Sequence, residues 1–321
     1  MRCNNPLISL YLSIMGLLIF PDLVLAQFDD DAEALMDTYV RITPKLENNV
    51  YGIPVYIESN GENNTMLGEI YGLIQHPYED VRQALGTPDN WCEIAPQHFN
   101  IKACTYQHLD GYCELTFYTG RKYYEAPDDV YQVPYQFSRS DNGNGYFHAS
   151  LTATKGPMGT KDYRIEVEAI SLKDSRTFIH FSYSYKYNAL TRMGMTAYLA
   201  TLGSNKVGFS ATSEDEQGKP IYVDGLRGII ERNAVRYYLA IQSYLDTKNM
   251  PAEKQFNARI NHWFDLTENH HLQLYEMDKE DYLKYKQLEH QDQLKLQQDV
   301  NNRNGDKSKC DPPQSANDQA E

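Results

Sequence analysis

Apolar and polar residues alternate strictly along the middle of the chain. A period of two residues places successive side chains on opposite faces of a strand. Five consecutive segments keep one apolar and one polar face, which predicts an antiparallel sheet with one side in water. The segments are Cys113–Phe117, Tyr131–Phe137, Phe147–Ala153, Tyr163–Ala169 and Ile179–Tyr185.

The residues before this alternating region predict further elements. Asp29–Leu46 is mildly helical and acidic, and Val50–Ile57 and Met66–Ile74 form a hairpin across a polar turn. His76–Gly86 and Pro88–Ile94 are expected to form two short helices, because proline lies near the start of each.

The strongest helix signal comes after the strands, at Leu226–Leu245. Its apolar residues recur with a period of 3.6 and form one stripe. Asn233 lies within that stripe and either orients a ligand or bonds to a neighbouring strand or a buried water. Glu231 falls on the opposite, solvated side. Arg232 and Arg236 lie at the edge of the stripe, where they meet a ligand carboxylate or pair with Glu166 or Glu168 on the sheet surface.

The flanks of this helix are less regular. Ala189–Leu202 predicts a short helix and Lys206–Thr212 a strand, and another helix starts at Pro251. Beyond Met277 the chain is rich in Lys, Glu, Gln and Asp. We expect an exposed helix there, followed by a disordered tail from about Val300.

The first 26 residues have the pattern of a secretory signal peptide. Arg2 precedes an apolar core, Leu7–Phe20, and Val24-Leu25-Ala26 fits a cleavage site. The core is too short to cross ~30 Å of hydrocarbon. We therefore expect export, with the mature protein periplasmic or secreted.

Charge narrows the range of partners. The net charge is −14, and an acidic surface repels phosphate backbones, so nucleic acid is not an expected partner. Tyrosine is common, with 26 residues against 11 Phe and 2 Trp, which suits strands and half-wet pockets.

Four cysteines follow the signal segment. A two-residue loop at Asp110-Gly111 pairs position 104 with 117, which leaves Cys104 and Cys113 ~13 Å apart, too far for a disulfide. Cys92 is the better partner for Cys104. Cys310 is expected to be free or intermolecular. Zinc binding with His98 and His108 is a rival hypothesis, but the spacings fit no compact zinc motif.

The order of elements resembles the START-like or helix-grip superfamily, which includes polyketide cyclases and lipid-transfer proteins. Tyr71–Leu245 carries the resemblance, and four stretches look like an exported, uncharacterised bacterial branch. They are His76–Val81, Asn90–Cys92, Gly156–Tyr163 and Arg227–Asn233. The resemblance implies an α+β fold in which a curved antiparallel sheet wraps a long helix and encloses a cavity for a hydrophobic ligand. It names no reaction.

The predicted domain organisation follows from these elements. We expect a signal peptide at 1–26, a helix-grip domain at 27–248, a helical extension at 249–300 and a disordered tail at 301–321.

Motifs for catalysis are scarce. Gly208–Thr212 is not a nucleophile elbow, because Thr212 replaces the second glycine. No phosphate loop or H-E-x-x-H motif occurs, and His270-His271 lies in a polar stretch. We therefore expect no catalytic residue, no metal and no cofactor.

Alternation and the helix stripe together predict the lining of the cavity. The expected ligand-binding residues are Tyr135, Phe137, Phe181, Tyr183, Asn233 and Tyr237. The inner-face positions assigned in this way carry no Asp, Glu or His, which favours binding over catalysis.

Three functions fit the sequence. The first is a carrier or sensor of a hydrophobic, lipid-like or aromatic small molecule. The second is a cyclase or hydrolase that uses the same cavity. The third is an envelope interaction protein with a filled core, whose C-terminal helices dock on a membrane surface or another protein.

Overall fold

The computed structural model describes residues 22–49, 51–109, 111–141, 143, 145–199, 206–304 and 310. The apolar core of the predicted signal peptide lies outside these ranges, as do Asp110 and nearly all of the predicted tail. Export therefore stays a prediction. None of the helices in the described ranges is long and apolar enough to cross a membrane.

Eight antiparallel strands form one large curved sheet, in the order β1-β2-β8-β7-β6-β5-β4-β3. The first hairpin and the five alternating strands are confirmed, and β3 completes the sheet. The strands are β1 Val55–Glu62, β2 Thr65–Ile74, β3 Ile101–Leu109, β4 Tyr112–Thr119, β5 Tyr131–Asp141, β6 Tyr146–Lys155, β7 Lys161–Ser171 and β8 Thr177–Lys186.

Helices pack on both faces of the sheet and along one edge, and a small hairpin, β9 Ala211–Glu214 and β10 Pro220–Tyr222, precedes the longest core helix. The α+β, helix-grip class is confirmed. The helices are α1 Asp22–Glu47, α2 Tyr78–Gly86, α3 Pro88–Ile94, α4 Ala189–Leu199, α5 Gly225–Thr247, α6 Ala252–Glu268, α7 His271–Leu274 and α8 Lys279–Asn304.

The predicted strand at Lys206–Thr212 is wrong in its first half, because β9 begins only at Ala211. The preceding backbone turns toward α5 instead. There the Glu231 carboxylate accepts hydrogen bonds from the N–H groups of Phe209 and Ser210, at 2.7 and 2.9 Å. Glu231 is fully buried, so its expected exposure is also wrong.

Two glycines of β2 decide where α5 lies on the sheet. A Cβ atom at Gly72 would be 2.6 Å from the Tyr238 hydroxyl, and one at Gly68 would be 3.1 Å from the Ile230 carbonyl oxygen. Only glycine permits this close approach. The helix therefore rests on β2, near one edge of the sheet, and space remains over the inner face towards the other edge.

Helix α8 protects the opposite edge of the sheet, contrary to the expectation of an exposed helix. Gln293 accepts from the Cys104 N–H at 2.8 Å and donates to the Cys92 carbonyl at 3.0 Å. One turn later, Gln297 accepts from and donates to the backbone of Tyr106, at 2.9 and 3.0 Å. Three of these four backbone groups belong to β3, where an exposed edge would offer them to another chain.

Two disulfides fasten this edge. Cys104 pairs with Phe117 across the β3–β4 hairpin and bonds to Cys92, with Cα atoms 4.8 Å apart. Cys113 bonds to Cys310, with Cα atoms 5.7 Å apart. The expectation of a free or intermolecular Cys310 is therefore wrong, because α8 runs back along β3 and returns the chain to the start of β4.

The outer face of the sheet is only partly in water. Leu35, Ile42 and Leu46 of α1 pack with Leu73 and Phe178 in a second apolar core. The N-terminal helix thus covers one part of the outer face, and the rest is in water as alternation predicts.

A half-buried histidine beside this second core gives a pH prediction. His180 Nδ1 lies 2.8 Å from Glu168 and Nε2 lies 3.0 Å from Glu69. Burial lowers its pKa, but the two carboxylates outweigh burial and raise the pKa to about 9. The unfolded chain loses this proton near pH 6.5, so the stabilisation is complete below that pH and disappears as the pH rises through 9.

We expect His180→Gln to remove this loss of stability, which is of order 2–3 kcal/mol between pH 6.5 and 9. The free energy of unfolding at each pH, for the parent and the variant, measures the difference. The same substitution at the exposed His271 is the control. If the free energy of unfolding changed with pH in the same way in the parent, His180→Gln and His271→Gln, the role assigned to His180 would be contradicted.

Candidate functional site

A cavity of about 800 Å³ lies between the inner face of the sheet and α5. Its wall combines residues from β3, β4, β5, β7 and β8 with two residues of α5, one helical turn apart. It occupies the space that the glycine contact of α5 with β2 leaves open. The helix residues are Asn233 and Tyr237.

Four buried tyrosines line the interior of the cavity. The Tyr163 ring lies 6.4 Å from Tyr135 and 6.2 Å from Tyr183, and the Tyr183 and Tyr237 ring centres are 5.6 Å apart. Burial raises the pKa of all four phenols, so they are neutral and able to donate. The Tyr163 hydroxyl is already engaged with Thr160 Oγ1 at 2.7 Å.

The mouth of the cavity is formed by two connections at one end of the sheet. The β4–β5 connection contributes Arg121, Glu125, Asp128 and Asp129, and the β6–β7 turn contributes Pro157 and Met158. Acidic groups therefore surround the entrance, whereas the interior is aromatic.

His98 lies in the cavity wall directly before β3, and its ring stacks on Tyr237 with centres 5.0 Å apart. Its Nδ1 accepts a hydrogen bond from the Asn100 N–H at 3.1 Å. Burial, together with Arg236 and Lys286, lowers its pKa well below the usual value, so the ring is neutral. The positions assigned from alternation and the helix stripe carry no histidine, but the cavity wall also includes His98, which lies outside those elements.

The structure brings four of the six predicted lining residues to the cavity, namely Tyr135, Tyr183, Asn233 and Tyr237. Phe137 and Phe181 are buried on the same sheet face but do not line it. Phe181 packs behind Tyr237, with ring centres 6.1 Å apart. Sequence reasoning missed His98, which follows a short helical turn where no periodicity marks the buried face.

A cluster of charges lies beside the cavity and joins its mouth to α5. The Glu276 carboxylate contacts Arg232 at 2.6 Å, Arg236 at 2.7 Å and Lys206 at 3.2 Å, and it also pairs with Lys122 of the mouth connection. The Glu276 side chain is 2% exposed. Arg232 and Arg236 are thus buried and paired here, and the expected pairs with Glu166 or Glu168 are absent from the described residues.

A second buried cluster holds α8 against β3. Glu289 contacts Lys102 at 2.8 Å and Lys286 at 2.7 Å, and all three side chains are almost completely buried. Lys286 also donates to the carbonyls of His98 and Ile101, both at 2.9 Å. This helix therefore fixes the backbone that carries His98.

No protein-family model and no curated protein sequence matches the chain. Similar solved structures include a conserved protein of unknown function from Enterococcus faecalis, with 14% identity and a TM-score of 0.34 over 66% of this chain and 91% of that one. Ara h 8.0201 shows 9% identity and a TM-score of 0.34, over 56% of this chain and 97% of that one.

Human StAR-related lipid transfer protein 5 shows 13% identity and a TM-score of 0.29, over 57% of this chain and 96% of that one. All three TM-scores are below 0.5. The fold class therefore rests on the sheet and helices described above.

Proposed function

We propose that this protein binds an apolar or aromatic small molecule in the tyrosine-lined cavity. The observation that carries the proposal is the cavity itself, about 800 Å³ in volume and walled by four buried tyrosines. Sites for small molecules have volumes of roughly 300–1,000 Å³, mostly apolar walls and a few polar groups that fix orientation. The neutral hydroxyls, His98 and Asn233 supply those polar groups.

The proposal also covers the compartment in which the protein acts. Two disulfides suit an oxidising compartment, where they form and persist. Together with the N-terminal sequence pattern, they support an exported carrier or sensor. A membrane surface or an envelope protein remains a candidate partner of the C-terminal helices.

The chemistry of the wall favours binding over catalysis. A general base needs a pKa near the working pH and a free lone pair within reach of the substrate. His98 has its Nδ1 lone pair engaged by Asn100 and a strongly lowered pKa. Within the described residues, no carboxylate is hydrogen-bonded to its ring.

Two alanine variants on the same strand test whether the cavity is open. Tyr183→Ala removes a ring that faces the cavity on one side, so we expect a loss of only about 1–2 kcal/mol in the free energy of unfolding. Phe181→Ala removes a ring packed on all sides, and a loss of about 3–5 kcal/mol is expected. Chemical denaturation measures both.

Binding of N-phenyl-1-naphthylamine completes this test. The parent protein should bind the probe with saturation, and Tyr183→Ala should weaken binding at least about fivefold through the lost aromatic contact. Equal destabilisation by both variants, with no probe binding by the parent, would mean a filled structural core and would refute the carrier proposal.

A further inference from the structure

The floor of the cavity holds a hydrogen-bond donor that has no partner. His98 Nδ1 accepts from a backbone N–H, so the single proton of the neutral ring is on Nε2. His98 is 3% exposed, and its Nε2 has no hydrogen-bond partner within 3.5 Å among the described residues, although the Asn233 side chain lies close enough to raise the pKa of the ring. A buried donor without a partner destabilises the protein, and a ligand acceptor would remove that penalty.

Asn233 supplies a second donor beside the first. Arg236 Nη1 donates to Asn233 Oδ1 at 3.3 Å. A guanidinium can only donate, so the atom facing it must be the amide oxygen. The Asn233 amide nitrogen is thereby directed away from Arg236, and Asn233 lines the cavity next to His98.

Cations act more strongly on the floor than anions do. Arg236 and Lys286 each lower the pKa of His98, and Glu276 raises it by less. Glu276, the carboxylate nearest this group, is held by four cations and does not line the cavity. The other carboxylates of the wall, Glu125, Asp128 and Asp129, belong to the connection at the mouth.

We propose that the floor of the cavity recognises an acceptor oxygen, of a carbonyl or carboxylate, on a ligand with an apolar body. His98 Nε2–H and the Asn233 amide are the two donors to that oxygen. The inference rests on the proposed binding function and names the class of ligand. An amine, which needs an acceptor, is not accommodated at this floor.

Four naphthalenes of similar size test this recognition. 2-Acetylnaphthalene and 2-naphthoate carry the acceptor, 2-ethylnaphthalene lacks it, and 2-(aminomethyl)naphthalene carries a cation. Competition against N-phenyl-1-naphthylamine measures the four affinities. We expect the ketone or the acid to bind about tenfold or more tightly than the hydrocarbon, and the amine more weakly than either. Preference for the acid over the ketone would identify a carboxylate ligand, and the reverse a neutral carbonyl.

Three variants locate the effect. His98→Phe keeps a ring on Tyr237, and Asn233→Leu keeps the size of the side chain. Each should reduce the ratio of ketone to hydrocarbon affinity to about threefold or less while the hydrocarbon affinity is retained. His270→Phe is the matched control, because this buried histidine packs on Phe209 and does not line the cavity, and the ratio should not change.

An NMR measurement on His98 tests the proposed contact directly. The ¹⁵N resonance of His98 Nε2 should retain the protonated form and shift when the ketone binds. Equal affinity for ketone and hydrocarbon, or a ratio unchanged in His98→Phe, would overturn the inference while leaving a binding cavity. No binding by any of the four compounds or by the fluorescent probe would refute the proposed function itself.

Discussion

Replacing Glu276 with glutamine is expected to lower the free energy of unfolding by about 3–5 kcal/mol. The substitution leaves Arg232, Arg236, Lys122 and Lys206 around a neutral amide in a buried site. Removing one partner of a buried charge cluster is costly, because the remaining charges keep their desolvation penalty without compensation. The cluster joins α5 to the mouth connection, so the loss extends to the cavity.

Urea denaturation of the parent and variant measures this effect. Glu268→Gln is the control, since that carboxylate is 36% exposed and pairs with the exposed His271, and a change below about 1 kcal/mol is expected. Equal effects of the two substitutions would contradict the structural role of Glu276.

The stability that Glu276 contributes should also depend on pH in the acid range. Burial raises the Glu276 pKa, but Arg236, Lys122 and Arg232 outweigh burial and hold it far below the usual range. The stabilisation is complete above the unfolded pKa of about 4.3 and disappears as the pH falls from there toward the folded pKa. The difference in stability between the parent and Glu276→Gln should therefore shrink below about pH 4.

Glu289→Gln is expected to cost a similar amount, about 3–5 kcal/mol at pH 7. Glu289 is the only carboxylate that contacts the buried Lys102 and Lys286 in the described residues. Burial lowers the pKa of Lys286 to about 8 even with this partner present, and also lowers that of Lys102. Without the carboxylate, the pKa of each lysine falls further, so the folded state favours the neutral amines more strongly.

Alkaline pH should partly rescue this variant. The unfolded lysines keep their protons up to a pKa of about 10.4, so between pH 7 and 10 the unfolded variant binds more protons than the folded one. Its stability relative to the parent should therefore rise over this window. Asp292→Asn on the same helix is the control, and a pH-independent deficit in Glu289→Gln would contradict the explanation.

The strands could be predicted because their apolar and polar residues alternate regularly. The packing of helix α8 could not, because no regular pattern marks it. Period two identified five strands and the first hairpin, because each buries one face. Helix α8 was misjudged because it contacts the sheet edge through polar groups, such as Gln293, Lys286 and Glu289, rather than through an apolar stripe. Cys310, six residues beyond the end of this helix, bonds to Cys113.

The sequence predicted which sheet face each residue of the candidate site lies on. It did not predict which of those residues reach the cavity. Alternation places Phe137 and Phe181 on the same face as Tyr135 and Tyr183, yet only the tyrosines reach the cavity. The position of the helix decides this, and it depends on contacts distant in sequence at the β2 glycines. Glu231 was misjudged for a related reason, since its partners at Phe209 and Ser210 lie in an irregular loop.

Native mass spectrometry of the purified protein tests the central claim, an open cavity that holds one small molecule. The spectrum is recorded before and after addition of N-phenyl-1-naphthylamine. We expect either a discrete co-purified adduct that the probe displaces, or saturation at one probe per chain. A bare chain at every probe concentration, or a stepwise series of adducts without saturation, would contradict the account.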